Sequence, residues 1–107
     1  MENKLFDMHA ELCKTLSDPK RLKILYLLGN KEKSVSEIVK LSGFRQANVS
    51  QHLAVLRQKG VVSTKRKGKL VLYRIAFPKM VKACNLIRKV LMEQSEQRHK
   101  IFRGGRK

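Results

Sequence analysis

The stretch from Ser34 to Gly60, SVSEIVKLSGFRQANVSQHLAVLRQKG, admits few folds. Ser34 and Glu37 have the spacing of a capping box, which predicts a helix starting near Ser36. Ile38, Val39 and Leu41 give that helix an apolar side, and Gly43 is a natural residue for its end. A second helix is predicted from about Gln46 to Lys59. Val49, Leu53 and Leu56 recur at i, i+4 and i+7 as its buried stripe, and Gly60 ends it. Two helices joined by a tight turn near Gly43 make a helix-turn-helix unit, and the rest of the chain reads as its support.

The face opposite that stripe carries the chemistry. Ala47, Gln51, Ala54 and Gln58 lie across the helix from Val49, flanked by Gln46, Asn48 and Ser50, with Arg45 just before them and His52 at the edge. Gln and Asn can pair with the N6/N7 edge of adenine, Ser can bond to either type of base pair, and Ala permits close approach and contact with a thymine methyl. An ordinary solvated face could have the same composition. The position of this face after a turn and between basic segments favours contact with DNA. His52 suits either a backbone contact or packing.

The charge distribution points the same way. Lys and Arg number 25 against 8 acidic residues, for a net charge of +17. No acidic residue stands between Ile38 and Met92, while Lys and Arg recur throughout that span. Solubility alone does not require such an exclusion; a polyanion-binding surface does. No apolar run is long enough to span a membrane, and the opening MENKLFDMHAEL lacks the apolar core of a signal peptide, so a cytoplasmic protein is expected.

Before the central unit, residues 3–16 read as a helix with Leu5, His9, Leu12 and Leu16 in a stripe. A second helix starts at Asp18-Pro19 and runs to Leu28, with Leu22, Leu25 and Leu28 inward. Its basic start, Lys20, Arg21 and Lys23, suits DNA flanking or plain solvation equally. After Gly60 the hydrophobic period shortens towards two. VVSTKRK and KLVLYRI form a predicted hairpin turning at Lys67-Gly68, with Lys65, Arg66, Lys67 and Lys69 at its tip. Charge also blunts edge strands, but beside the amide-rich helix this hairpin looks like a wing for the DNA backbone or minor groove. A last helix is predicted from Pro78 to about residue 98. It has the stripe Met80, Cys84, Ile87 and Leu91, widened by Val81, Ala83 and Val90. The tail, residues 99–107, is basic and is expected to be disordered and to add non-specific DNA affinity.

The run from Leu12 to Ile75 resembles the ArsR/SmtB family of winged-helix repressors. The segments that carry the resemblance are LCKTLSDPKRLKILYLL, VSEIVKLSGFRQANVSQHLAVLRQKGVV and LVLYRI, in matching order and spacing. The resemblance implies a mainly helical winged helix-turn-helix domain over residues 1–98: four helices, a hairpin wing and a fifth helix. It also implies a homodimer through the first and last helices, bound to operator DNA and released by an inducer. The long apolar stripe of the last helix exceeds what so small a core needs. A dimer would also fit symmetric half-sites ~34 Å apart.

The family's metal sites do not carry over. One is a Glu-Leu-Cys-Val-Cys-Asp-Leu motif; the matching residues here are Glu32, Lys33, Ser34, Val35, Ser36, Glu37 and Ile38. Serine replaces both thiolates, and a neutral hydroxyl is a poor ligand for a soft ion. A second site would fall on Phe77, Lys79, Val90 and Glu93, of which only Glu93 keeps a ligand type. No metal or other cofactor is expected. Cys13 and Cys84 remain, one on each helix assigned to the dimer interface. They read as buried small hydrophobes or as a thiol sensor. Thiol sensors of the family place one cysteine where Tyr26 stands here. No nucleophile–base–orienter set supports an enzyme. The alternative to a sequence-specific repressor is an architectural protein that binds all DNA alike.

Overall fold

The structure, a computed structural model, describes the backbone of residues 2–105 and the side chains of residues 2–98. In chain order the elements are α1 (Glu2–Leu16), α2 (Pro19–Leu28), β1 (Lys33–Ser34), α3 (Val35–Ser42), α4 (Gln46–Gln58), β2 (Val62–Lys67), β3 (Leu70–Ile75) and α5 (Pro78–Gly105). Local chemistry fixes most of these boundaries. Asp18 Oδ1 accepts from the amides of Lys20 (2.8 Å) and Arg21 (3.1 Å), and Pro19 sits at the first helical position, where no amide is needed. At α3 the capping box is complete: Glu37 N donates to Ser34 Oγ at 3.2 Å, and Ser34 N donates to Glu37 Oε1 at 3.0 Å. Gly43 closes α3 with φ of 74°, a left-handed conformation that few other residues tolerate.

The core lies where α2, α3 and α4 meet the small sheet. Ile24, Leu25 and Leu28 of α2, Ile38 of α3, and Val49, Leu53 and Leu56 of α4 pack with Val61, Val62, Ile75 and Val81. Burying a side chain of this size contributes ~1.5–3 kcal/mol, so the α4 stripe is a principal anchor of the domain. The sheet order is β1-β3-β2, antiparallel throughout, with Val62 opposite Ile75 and Lys67 opposite Leu70. Gly68 and Lys69 form the turn. Gly68 has φ of 62° at the first central position, the place of glycine in a type II′ hairpin.

The structure differs from the sequence reading in several places. A short strand, β1, pairs Lys33 with Tyr73 and Ser34 with Leu72; two residues are too few to show alternation in sequence. On α2 the inward positions are Ile24, Leu25 and Leu28. Leu22 is exposed, because the α3–α4 pair covers the side of α2 that carries Ile24. Leu41 of α3 is exposed as well. The α1 stripe is split: Leu12 and Leu16 pack on the core, whereas Leu5, Phe6, Met8 and His9 face outward. The last helix is longer than expected, with helical backbone to Gly105. The side chains of the basic tail lie outside the described residues.

The stripe on α5 also divides. Met80, Val81 and Cys84 turn onto the protomer, but Ile87 and Leu91 are exposed. Leu86 and Val90 are exposed as well, and at ~100° per residue they lie roughly across the helix from Cys84. So α5 carries two apolar sides, one turned towards α2 and one turned away. Among the described residues, no helix is long and apolar enough to cross a membrane.

Candidate nucleic-acid interface

The α4 helix is held by its inner stripe and shows its other face to solvent. Val49, Leu53 and Leu56 are wholly buried, while Arg45, Gln46, Ala47, Ser50, Gln51, Ala54 and Gln58 are exposed and Asn48 is half-buried. The amide- and hydroxyl-bearing residues expected from sequence therefore share one accessible surface. Arg45 occupies the cap position of α4 in extended conformation, and no side chain accepts from the first-turn amides. Those amides stay open to an outside acceptor, and the helix dipole adds positive potential there.

Two contacts position α4 against the start of α2. Arg21 Nε donates to His52 Nδ1 at 3.3 Å, and Arg21 Nη1 donates to the Thr15 carbonyl at 2.8 Å. Arginine cannot accept, so the His52 proton must sit on Nε2, which is then the nitrogen left for another partner. Of the three basic residues at the start of α2, Arg21 is thus a strut joining α1, α2 and α4, and His52 packs against it. Lys20 lies 5.6 Å from the Phe44 ring centroid and fastens the α3–α4 turn to α2. Asp18, the cap of α2, stands beside Lys20 and Arg21 at this corner. Its carboxyl is held below the usual aspartate range, first by the Arg21 amide, with further lowering by the Lys20 amide and the Arg21 charge. Periodicity could not reveal the Arg21–His52 link, because the partners are 31 residues apart and only the packing of α2 on α4 joins them.

The hairpin completes the surface. Lys65, Arg66, Lys67 and Lys69 are all exposed around the β2–β3 turn, with no acidic residue on either strand. Arg74 Nε reaches Ser63 Oγ across the ladder at 3.4 Å.

The two cysteines lie elsewhere. Cys13 is exposed, Cys84 is buried, and neither is in a disulfide. Both line a groove of about 580 Å³ between α1, α2 and α5. The structure therefore places both on the lining of one groove, although the sequence could place them only on two separate helices. Tyr26, at the position where thiol sensors of the resembled family carry a cysteine, faces the same groove; the Arg88 guanidinium lies 4.6 Å from its ring centroid.

Known proteins share both sequence and fold with this chain. The profile of the bacterial regulatory proteins of the arsR family matches residues 18–64. An uncharacterized HTH-type transcriptional regulator of Mycobacterium tuberculosis is 41% identical over 88 residues, covering 81% of this chain and 77% of that one. Its crystal structure superposes with a TM-score of 0.78 at 39% identity, covering 88% and 95% of the two chains. The biofilm growth-associated repressor of Xylella fastidiosa is 38% identical over 88 residues, covering 82% of this chain and 77% of that one. A homodimeric winged helix-turn-helix DNA-binding domain from Mycobacterium bovis, solved in solution, superposes with a TM-score of 0.82 at 31% identity, covering 90% and 89%.

Proposed function

The chain belongs to the arsR family of bacterial regulatory proteins, and on that premise we propose a homodimeric transcriptional repressor that reads symmetric operator DNA with α4 and grips the backbone with the β2–β3 hairpin. One observation carries this reading: the exposed amide face of α4 and the basic hairpin tip lie within a span free of acidic residues. Gln46, Asn48, Ser50 and Gln51 read base edges, with Ala47 allowing close approach. Arg45, the free Nε2 of His52, and Lys65, Arg66, Lys67 and Lys69 contact phosphates, which position the protein without specifying sequence. The outward apolar sides of α1 and α5, including Phe6, Leu86 and Val90, support the homodimer, since apolar surface of that extent is buried by assembly. Residues 1–98 act as one unit, and the basic residues 99–107 add affinity for any DNA. The protein acts by binding, not by catalysis, and works in the cytoplasm.

Selection of bound sites from random DNA tests the reading. The expected result is a symmetric motif bound at least ~10³-fold tighter than random sequence at the same salt. Equal affinity for all sequences would instead make the protein an architectural one.

The release signal acts at the groove that holds Cys13 and Cys84. A modified thiol there adds bulk between α1 and α5. Operator titrations with and without a thiol oxidant should show weakened binding in the wild type and none of that weakening in Cys13→Ser or Cys84→Ser. Equal affinities throughout would leave Cys84 as a packing residue and Cys13, which is exposed rather than buried as the sequence suggested, without a part in release.

A further inference from the structure

We propose that the groove between α1, α2 and α5 binds an amphipathic organic anion of the medium-chain carboxylate class. The inference rests on the repressor reading for its consequence, but not for the site itself. The walls are apolar, built from Leu16, Leu22, Ile87 and Leu91. Leu22, Ile87 and Leu91 are exposed in the protomer, so a ligand chain laid along them removes apolar surface from water. The volume of about 580 Å³ suits a small organic molecule.

The charged groups in the lining are both cations, Lys23 and Arg88, with no carboxylate beside them. Arg88 is held in place twice, over the Tyr26 ring at 4.6 Å and by a hydrogen bond to Asn85 Oδ1. A guanidinium has five N–H donors, so most remain free for a carboxylate, and a pre-placed fork loses little freedom on binding. An apolar trough with a fixed cationic fork and no counter-charge matches a tail with one anionic head.

The same features argue against a second copy of the chain as occupant. The lining already holds two cations, Lys23 and Arg88, and no acidic residue stands on this chain between Ile38 and Met92, so most of α5 from a second copy would offer them no counter-charge. The opposite side of α5, with Leu86 and Val90, leaves the dimer another surface to use.

Dodecanoate below its micelle concentration is the probe, titrated into the intact homodimer by calorimetry. Dodecyltrimethylammonium, with the same tail and the opposite charge, is the control. The expected result is saturable binding of dodecanoate, about tenfold or more tighter than the cationic amphiphile, with a similar loss in Arg88→Gln. Leu22→Asp, at an exposed position, should abolish binding without unfolding the core. Dodecanoate should also slow alkylation by N-ethylmaleimide of Cys13, the exposed thiol of the groove.

Saturating dodecanoate should weaken operator binding by the wild type and leave Arg88→Gln unaffected. Operator affinity without dodecanoate is measured for each variant, so a failure of the repressor reading shows separately. Equal binding of the two amphiphiles, indifference to Arg88→Gln, or no saturable binding would each overturn the site. Binding that leaves operator affinity unchanged would overturn its regulatory role.

Discussion

The two helices of the central unit share one core but are finished differently at their N termini. The α3 helix is closed on itself: Ser34 and Glu37 satisfy each other's amides, and an acid stands in the first turn. The α4 helix begins at Arg45 with no side-chain cap and carries no acidic residue. A cap stabilises its own helix and also fills the place where an outside anion would bind. The contrast therefore separates a helix closed by its own side chains from one whose first-turn donors and positive end stay open, as the proposed reading of DNA by α4 requires.

The largest effect should come from what the two helices have in common. Leu53→Ala on α4 and Ile38→Ala on α3 both hollow a fully buried site and should each cost ~2–5 kcal/mol, measured by urea unfolding. If Leu53→Ala costs less than about 1 kcal/mol, α4 is not anchored by the shared core and the comparison loses its basis.

Next comes the difference in exposed faces. Gln51→Ala should weaken operator binding by ~1–3 kcal/mol and barely change binding to random DNA. The matched change on α3, Ser36→Ala, should alter neither. Equal losses on operator and random DNA for Gln51→Ala would remove α4 from base reading.

The caps give a smaller effect. Ser34→Ala should lower stability by ~0.5–2 kcal/mol. The Glu37 carboxyl sits below the usual glutamate range, first because the Ser34 amide donates to it, with further lowering by the Ser34 hydroxyl and Lys33. A depressed folded pKa means stability that is present in full above the unfolded pKa and is lost as pH falls through the folded one. Asp18 at the head of α2 has the same sign. The stability of the wild type should therefore fall more steeply as pH drops through the carboxylate range than that of a variant carrying Glu37→Gln and Asp18→Asn, which should be less stable at neutral pH and flatter with pH. Parallel curves would mean that neither cap contributes.

How much of this was legible without the fold depended on range. The α4 stripe, the capping box, the left-handed Gly43 and the basic hairpin tip are written within a few residues each, and short spacing was enough to read them. The Arg21–His52 strut, the β1–β3 pairing and the groove of Cys13 and Cys84 join residues far apart in sequence. Helical periodicity says that a face is apolar but not which neighbour covers it. That is why Leu22 read as core while it lines a groove, and why one stripe on α5 read as an interface while its first half packs inward.

The smallest effect, and the sharpest test of the contrast, comes from giving α4 the cap it lacks. Arg45 has φ of −65° and ψ of 143°, close to the −81° and 165° of Ser34, so a serine there needs no change of backbone. Arg45→Ser should bring a hydroxyl within reach of the first-turn amides and raise stability by about 0.5–1 kcal/mol. The same change removes one cation and occupies an amide otherwise open to phosphate. Affinity should fall on operator and random DNA together, and the slope of log K against log salt should become shallower by ~0.9 for the one phosphate no longer neutralised. Stability and affinity would then move in opposite directions from a single substitution. A gain in stability with an unchanged salt slope would mean that Arg45 and the start of α4 stand clear of the DNA. No gain in stability would mean that the α4 amides are already satisfied, and the difference from α3 would not be one of capping.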